Sequence, residues 1–303
     1  MNYTLNQLQI YLKVVQTMSI TKAAEELNLT QPAVSIQIKN FQAQFEIPLI
    51  EIIGKKIYVT DFGQEIAKSA EGIIDQVYAI NYKTMAFKDQ LLGRLKVSVV
   101  STGKYVLPYF LTEFLKNNPG VEISIDVTNR EKVFQSLENN EVDFSLISTD
   151  VNSPAYDYID ILENELYLVG NPSTAALNPK FAFQEFNKEL PLIFRENGSG
   201  TRKIMESYLK KQGIHALKKI ELMSNEAVKQ AVMAGLGYSI MPMIGIKNEL
   251  KNGQLAIIKR SGLPISTTWK LIWHKEKNPS PVARAFMKYI LENKEAIRKN
   301  YFE

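Results

Sequence analysis

The sequence predicts an α+β multidomain protein, in which a small helical domain and one long helix precede two α/β lobes. Helical patterns fill the first 45 residues, a heptad pattern of apolar residues runs from about residue 60 to 87, and strands alternate with helices from residue 93 onward. With 303 residues, the chain is long enough for two or three such domains.

Residues 19–41 have the pattern of two short helices joined by a tight turn, which is a helix-turn-helix. Ser19 can cap the first helix, and Thr30 or Gln31 can cap the second, with Pro32 in its first turn, where a missing amide proton costs nothing. The apolar stripe of the second helix consists of Val34, Ile38, Phe41 and Phe45. Burial of that stripe turns short polar side chains outward and indicates a helix that contacts DNA bases. An ordinary helical hairpin is the alternative.

A long amphipathic helix is predicted from Thr60 to Phe87, with a length of about 40 Å. Its apolar positions alternate spacings of four and three residues, which makes a heptad seam of about three repeats. The seam consists of Ile66, Ala70, Ile73, Val77, Ile80, Thr84 and Phe87. An exposed seam of that length needs a partner, so residues 60–87 are predicted to pair two subunits. Packing of the helix onto its own chain is the alternative.

The first 60 residues carry little positive charge for a DNA-binding segment. They hold five lysines and four glutamates, and no arginine precedes Arg94. Because contacts with phosphates usually dominate affinity for DNA, one copy of this segment should bind DNA weakly. Oligomerisation then becomes part of DNA binding. The net charge of +4 for the whole chain is too small to predict a nucleic-acid partner by itself.

Composition indicates a folded cytoplasmic protein, with 45% hydrophobic and 22% charged residues. The chain starts with a polar-punctuated amphipathic pattern rather than a continuous apolar run, so neither a signal peptide nor a membrane span is expected. The lack of cysteine excludes disulfides and thiol chemistry.

Strands and helices alternate in the remaining 210 or so residues, which is the pattern of doubly wound α/β domains. The β-rich runs are 95–100, 121–127, 142–148, 166–170, 191–195, 219–224, 238–243 and 268–274. Helices are predicted at about 105–117, 201–212, 225–235 and 281–298. Two lobes are expected because the series of strands restarts near residue 161.

Polar and cationic residues follow several of these strands, at the edge where open α/β sheets bind ligands. Glycines in the turn after Arg195 allow a close approach of backbone to an anion, while hydroxyl groups and arginines can bind phosphate or carboxylate oxygens. The residues predicted to line this cleft are Ser101, Thr102, Lys104, Asn129, Arg130, Ser199, Gly200, Thr201, Arg202 and Asn225. The sequence therefore predicts a site for a small anion, and polyphosphorylated compounds are among the candidates.

An enzyme is disfavoured by the residues that are missing. No G-x-x-x-x-G-K-[ST] pattern occurs, neither His215 nor His274 has metal-ligand spacing to another histidine, and no cysteine can act as a nucleophile. No catalytic residue, metal site or cofactor is therefore predicted, and both histidines are interpreted as structural or surface residues. A solute-binding module without catalytic activity remains an alternative, and an enzyme acting on anionic metabolites is a weaker one.

The run ITKAAEELNLTQPAVSIQIKNF, followed by PLIEIIGKKIYVTDFG, resembles the DNA-binding module of the LysR-type transcriptional regulators, and the two-lobed remainder resembles their effector domain. The resemblance covers essentially the whole chain. The segments VVSTGKYVLP, NRE, FRENGSGTR and SNEAVKQAVMAGLG are similar to the branch that controls Rubisco and other carbon-fixation operons.

The resemblance implies a winged helix-turn-helix domain at 1–60, with its motif at about 20–39, and a linker helix at 61–88 that pairs subunits. It implies a periplasmic-binding-protein-like effector domain at 93–303, with lobe I at about 93–160 and 268–303 and lobe II at about 161–267. It also implies tetramers built from dimers that bend promoter DNA. The effector between the lobes would be a phosphorylated metabolite, such as a sugar phosphate, or a nucleotide. A LysR-type regulator of an unrelated pathway, sensing a carboxylate or inorganic anion, is the alternative.

The residues expected to face DNA bases are Gln31, Pro32, Ser35 and Gln37, and those expected to contact phosphates are Thr30, Lys39, Lys55 and Lys56. The chain departs from the family pattern at Ile36 and at Ile52 in the wing, where many members carry arginine, and at Glu46, where glycine is usual. Both lost arginines agree with the weak binding expected of a single copy.

Overall fold

The computed structural model describes residues 3–54, 56–86, 91–151, 153–176, 191–214 and 218–303. The chain forms two compact units, an N-terminal unit of residues 1–90 and a C-terminal unit of residues 91–303. None of the helices among the described residues is both long and apolar enough to cross a membrane.

The described residues of the N-terminal unit form four helices and a two-stranded antiparallel sheet. Its helices are α1 (Leu5–Thr17), α2 (Ile20–Glu26), α3 (Gln31–Gln42) and α4 (Asp61–Ala86), and its strands are β1 (Ile50–Ile53) and β2 (Lys56–Val59). Ser19 caps α2 and Thr30 caps α3, because each hydroxyl accepts a hydrogen bond from an amide in the first turn. Gly54 has a φ of +56° at the end of β1, a conformation that favours glycine.

The core of the N-terminal unit includes an aromatic cluster between α1 and α3. Tyr11 and Phe41 are fully buried, with ring centroids 5.1 Å apart. The hydroxyl of Tyr11 donates a 2.8 Å hydrogen bond to the carbonyl oxygen of Gly63, in the first turn of α4. Burial raises the pKa of Tyr11 to about 12. This bond fixes the start of the long helix against the three helices that precede it.

The predicted seam of α4 divides into two parts. Ala70 is buried in the core of the N-terminal unit, together with Ile74, which the heptad pattern did not include. Ile73 and Ile80 are 40% and 63% exposed. The helix therefore packs on its own chain through residues such as Ala70 and Ile74, while Ile73 and Ile80 are exposed to solvent. Phe87 lies outside the described residues.

The C-terminal unit is built on a mixed seven-stranded sheet and a separate parallel pair of strands. The strands of the large sheet are β3 (Leu92–Val100), β4 (Gly120–Thr128), β5 (Phe144–Ile147), β6 (Tyr156–Gly170), β9 (Ser239–Pro242), β10 (Ala256–Ile257) and β11 (Ile265–His274). Their order is β10-β6-β11-β5-β3-β4, with β9 paired to β6. Strands β7 (Leu192–Arg195) and β8 (Lys219–Leu222) form the separate pair.

The helices of this unit pack on those sheets. They are α5 (Leu107–Asn117), α6 (Arg130–Glu138), α7 (Pro172–Ala176), α8 (Gly200–Lys211), α9 (Asn225–Met233), α10 (Lys247–Lys251) and α11 (Pro281–Tyr301). One core holds buried residues from 95–162 and 269–297, and two smaller clusters hold buried residues from 166–258. The antiparallel strands β6 and β11 run from the first core to the others.

The strand predicted at 166–170 is the end of a much longer one. β6 covers fifteen residues, from Tyr156 to Gly170, and its first ten mix apolar and charged side chains without a regular alternation. The continuous apolar run that the sequence prediction detected comprises only its last five residues, since they are the part buried on both faces. The series of strands therefore does not restart near 161 but passes from one core to the next within a single strand.

Candidate functional site

A polar cavity lies in the C-terminal unit. It is formed by residues at the ends of strands β3, β4, β5 and β7 and by residues at the start of α8. Its lining consists of Val100, Ser101, Thr102, Asn129, Arg130, Ser148, Thr149, Arg195, Ser199, Gly200 and Thr201. These residues follow or end strands β3, β4, β5 and β7, as expected for the ligand edge of an α/β sheet. Six of them carry hydroxyl groups, which both donate and accept hydrogen bonds.

Two helices begin at this cavity. Asn129 caps α6 by accepting a hydrogen bond from the amide of Lys132, and Ser199 caps α8 by accepting one from the amide of Arg202. The amide of Glu131 also donates to the carbonyl oxygen of Gly198 across the cleft, at 3.3 Å. Because the first turn of a helix carries partial positive charge, two such ends at one cavity favour a bound anion.

Arg130 supplies a full positive charge to the cavity. Its Nε donates a 2.9 Å hydrogen bond to Oγ1 of Thr149, and its guanidinium lies 4.5 Å from the ring centroid of Phe134. Burial lowers the pKa of Arg130 from its usual value. Among the described residues, no carboxylate forms an ion pair with it. Its charge is therefore available to an anionic ligand.

Arg195 also lines the cavity, but its charge is balanced. Nε and Nη2 each donate a 2.8 Å hydrogen bond to the carboxylate of Glu196, and both side chains are less than a tenth exposed. Nη1 donates to Oγ of Ser101 and to Oδ1 of Asn225, both at 2.8 Å. Arg195 thus joins the two sides of the cleft through neutral partners, while Glu196 neutralises it.

Seven of the ten predicted cleft residues line the cavity, namely Ser101, Thr102, Asn129, Arg130, Ser199, Gly200 and Thr201. Three do not. Asn225 bonds to Arg195, and Lys104 is exposed, with its ammonium 5.0 Å from the ring of Tyr105. Arg202 turns to the carboxylates of Glu206 and Glu221, at 2.8 and 2.5 Å.

The cavity lining contains four residues that were absent from the predicted set, namely Val100, Ser148, Thr149 and Arg195. Ser148 and Thr149 follow β5, the third strand end at the same edge, so strand position alone could have identified them. Arg195 ends β7, but nothing in the sequence indicated that its neighbour Glu196 would neutralise it.

A wider cavity of about 600 Å³ opens beside the first and shares Arg130 and Ser199 with it. Its wall includes the rings of Phe134 and Tyr156, which meet edge to face, and the guanidinium of Arg202. A ligand held at Arg130 therefore has room for atoms beyond its anionic group.

His274, at the end of β11, makes local contacts. Nδ1 of His274 accepts a hydrogen bond from the amide of Glu276, and its ring packs edge-on against Tyr156. His215 lies outside the described residues. In the part of the chain that the structure describes, no three side chains of the metal-binding types come together.

In the N-terminal unit, the residues predicted to meet DNA lie on or near α3. Thr30, Gln31, Pro32 and Lys39 are exposed, and Ser35 and Gln37 are partly buried beside the apolar stripe. Lys56, at the start of β2, is exposed. Lys55 lies outside the described residues. Directly opposite the buried stripe is Ile36, which the prediction did not include among the base-facing residues and which is 57% exposed.

Two family models match the chain. Residues 5–64 match the bacterial regulatory helix-turn-helix protein, lysR family, and residues 88–295 match the LysR substrate binding domain. Together they cover most of both units.

Curated relatives match over nearly the whole chain. The HTH-type transcriptional activator CmpR of Synechocystis sp. is 35% identical over 98% of this chain and 97% of that protein. The RuBisCO operon transcriptional regulator of Acidithiobacillus ferrooxidans is 34% identical over 95% of this chain and 93% of that protein.

Solved structures show the same fold. The regulatory domain of CcmR from Synechocystis PCC6803, in complex with 2-PG, has a TM-score of 0.61 at 30% identity and covers 69% of this chain and 99% of that chain. Full-length CbnR complexed with its target DNA has a TM-score of 0.68 at 20% identity and covers 96% of this chain and 99% of that chain. The chain therefore belongs to the LysR family of DNA-binding transcriptional regulators, within which it resembles the regulators of RuBisCO operons.

Proposed function

We propose that this regulator binds promoter DNA as an oligomer in the cytoplasm and responds to a small phosphorylated anion held in the cleft of its C-terminal unit. The observation that carries the proposal is the cleft itself, in which Arg130 has no carboxylate partner among the described residues and two helix N-termini converge. No reaction and no resident cofactor are proposed. Residues 1–60 would bind DNA, 61–88 would pair subunits, and 93–303 would bind the effector.

The chemistry of the cleft favours a phosphate group over a bulky or neutral one. A dianionic phosphate has three oxygens, and the cleft offers six hydroxyl groups, helix amides and one unpaired guanidinium to bind them. The regulatory domain of CcmR is 30% identical to this chain, and its structure contains 2-PG, or 2-phosphoglycolate. That relative supports a phosphorylated carboxylate as the first probe for this chain.

Ligand binding would change the protein by joining the two sides of the cleft. Asn129 and Arg130 stand on one side, and Ser199 to Thr201 stand on the other. An anion that bonds to both sides binds the closed arrangement more tightly than an open one, so it shifts the population toward closure. The DNA affinity or DNA bend of the oligomer responds only if the two arrangements differ in their preference for DNA.

DNA contact would come from α3 and the β1–β2 wing. Gln31, Pro32, Ser35 and Gln37 are proposed to face bases, and Thr30, Lys39, Lys55 and Lys56 are proposed to contact phosphates. Because this set has only three lysines, affinity in one copy would be low, and an oligomer that binds two half-sites would compensate.

A thermal-shift experiment on the full-length protein tests the effector class. We expect 2-phosphoglycolate to raise the melting temperature in a concentration-dependent way, inorganic phosphate to raise it less, and glycolate, which lacks the phosphate, to leave it unchanged. An equal shift from glycolate would indicate a carboxylate sensor instead. No shift from any phosphorylated compound would reject the proposed effector.

DNA binding is tested separately, by incubating the full-length protein with a random duplex pool and recovering retained sequences. Enrichment of a sequence with two related half-sites is expected. Failure to retain any duplex at low salt would reject the DNA-binding part of the proposal.

A further inference from the structure

Ile36 is a large aliphatic side chain that is 57% exposed on α3. Val34 and Ile38, two residues to either side of it, are buried. Because a helix turns by about 100° per residue, this places Ile36 on the face opposite the buried stripe. That face is the one that α3 presents to the DNA major groove in the proposed function.

Ile36 and Pro32 form a small exposed apolar area on this face of α3. Pro32, one turn before Ile36, and Lys39 and Asn40, about one turn after it, are all exposed. The stem of Lys39 borders the area, and its ammonium can reach a phosphate. Pro32 lies in the first turn of α3 and Ile36 in the second, which is the part of a recognition helix that contacts base edges.

The chemistry of Ile36 restricts what it can contact there. In the major groove, guanine, cytosine and adenine present hydrogen-bond donors and acceptors, whereas thymine adds an apolar C5-methyl group. An isoleucine placed against a polar base edge would leave that edge desolvated and unpaired, which is unfavourable. Against a thymine methyl group it buries apolar surface on both partners.

We propose that Ile36 contacts the C5-methyl group of a thymine in each half-site and thereby determines part of the sequence preference of this regulator. The inference rests on the proposed role of α3 in DNA binding. It commits the exposed apolar area to DNA, so that a protein partner on the same area is an outcome that would reject it.

Deoxyuridine scanning tests the inference, because deoxyuridine differs from thymidine only by that methyl group. The probe is a duplex selected from a random pool by the full-length wild-type protein, with its thymines replaced one symmetric pair at a time. At one pair of positions, we expect the affinity of the wild type to fall roughly fourfold per half-site, and at the others to change little.

Two variants identify the side chain responsible. Ile36→Ala should bind the thymine and deoxyuridine duplexes equally, and about as tightly as the wild type binds the deoxyuridine duplex. Ile47→Ala is the matched control, since Ile47 is also an isoleucine, 54% exposed and outside α3. It should keep the discrimination of the wild type. A melting temperature for each variant verifies that it is folded.

The outcomes separate this inference from the proposed function. If the wild type retains no duplex, the proposed DNA binding fails. If it binds DNA but no deoxyuridine substitution matters, or if Ile36→Ala still discriminates, Ile36 does not contact a thymine methyl group. A change in oligomeric state of Ile36→Ala with unaltered discrimination would assign the area to a protein interface and overturn the inference.

Discussion

Arg195 and Glu196 are neighbours in the chain and form a buried bidentate ion pair, with Nε–Oε2 and Nη2–Oε1 distances of 2.8 Å. The backbone at the end of β7 turns so that two consecutive side chains meet beside the cleft. Glu196 therefore neutralises the charge of the guanidinium, which donates its remaining hydrogen bonds to Ser101 and Asn225. The positive charge offered to a ligand comes from Arg130.

Breaking the Arg195–Glu196 pair should destabilise the C-terminal unit. Arg195→Met or Glu196→Gln each leaves a buried group without its partner, and we expect each to lower the free energy of unfolding by about 3–5 kcal/mol. The double variant should lose less than the sum, because it leaves neither charge unpaired. Urea denaturation followed by tryptophan fluorescence reports on this unit alone, since Trp269 and Trp273 are the only tryptophans. Additive losses would contradict the coupling.

Gly200 allows the two sides of the cleft to approach closely. A Cβ atom at this position would lie 3.0 Å from Cγ2 of Thr149. Gly200→Ala should therefore hold the cleft open and lower the affinity for 2-phosphoglycolate about tenfold, from roughly 1–2 kcal/mol of overpacking. Thr149→Ser removes the methyl group concerned and should restore much of the affinity to the double variant. Calorimetric titration measures both, and a double variant as weak as Gly200→Ala would exclude the steric explanation.

Burial of the Tyr11 hydroxyl should make the stability of the N-terminal unit sensitive to alkaline pH. The pKa of Tyr11 is raised to about 12 in the folded state, from 10.0. The folded unit therefore keeps this proton when the unfolded chain has lost it. Its contribution is complete below pH 10 and declines by roughly 2–3 kcal/mol as the pH rises from 10 to 12.

Tyr11→Phe provides the comparison for that effect. It removes the hydroxyl, so at pH 8 it should be less stable than the wild type by about 1 kcal/mol, because the carbonyl of Gly63 loses its partner. Between pH 10 and 12 this difference should shrink and then change sign, because the wild type loses about 2–3 kcal/mol over that range and Tyr11→Phe does not. The difference can be measured by following unfolding with circular dichroism, which reports on both units. The transition seen by tryptophan fluorescence, which belongs to the C-terminal unit, is then subtracted. A constant difference over that range would show that Tyr11 does not titrate as described.

Pairing of subunits through α4 should depend on the exposed side chain of Ile80. Ile80 is 63% exposed and belongs to the predicted seam. Ile80→Asp should weaken self-association roughly 10- to 100-fold, since an apolar contact is lost and a carboxylate would be buried. Sedimentation velocity measures the change, with Ile47→Asp as a control at an exposed isoleucine outside α4. Unchanged association of Ile80→Asp would place the interface elsewhere.

Local patterns were sufficient to predict much of the fold. The stripe Val34, Ile38 and Phe41 fixed the buried face of α3, and hydroxyl residues before the helices marked their caps. Strand β6 was only partly detected, because charged residues such as Asp160 and Glu163 interrupt its apolar alternation. A strand is recognised from sequence when apolar and polar residues alternate regularly along its whole length. Strand β6 passes from one core to another, so its residues do not keep one such alternation.

The sequence predicted which strand ends form the cleft. It did not predict which of the arginines there are paired with carboxylates. Strand order brings Thr102, Asn129 and Ser199 to the same cavity, and that follows from general rules of α/β sheets. Which arginine remains without a carboxylate depends on side-chain contacts between residues far apart in sequence. Arg202 bonds to Glu221, nineteen residues away, and this contact could not be deduced from the pattern.

The measurement that tests the effector site most directly is a calorimetric titration of the full-length protein with 2-phosphoglycolate, comparing Arg130→Met with Lys132→Met. Both variants lose one positive charge from α6, but Arg130 lines the cleft and Lys132 is exposed. We expect Arg130→Met to lower the affinity at least tenfold, from about 1.5–3 kcal/mol for a charged hydrogen bond, and Lys132→Met to retain it. Equal affinities for the two variants and the wild type would contradict the assignment of the cleft as the phosphate site.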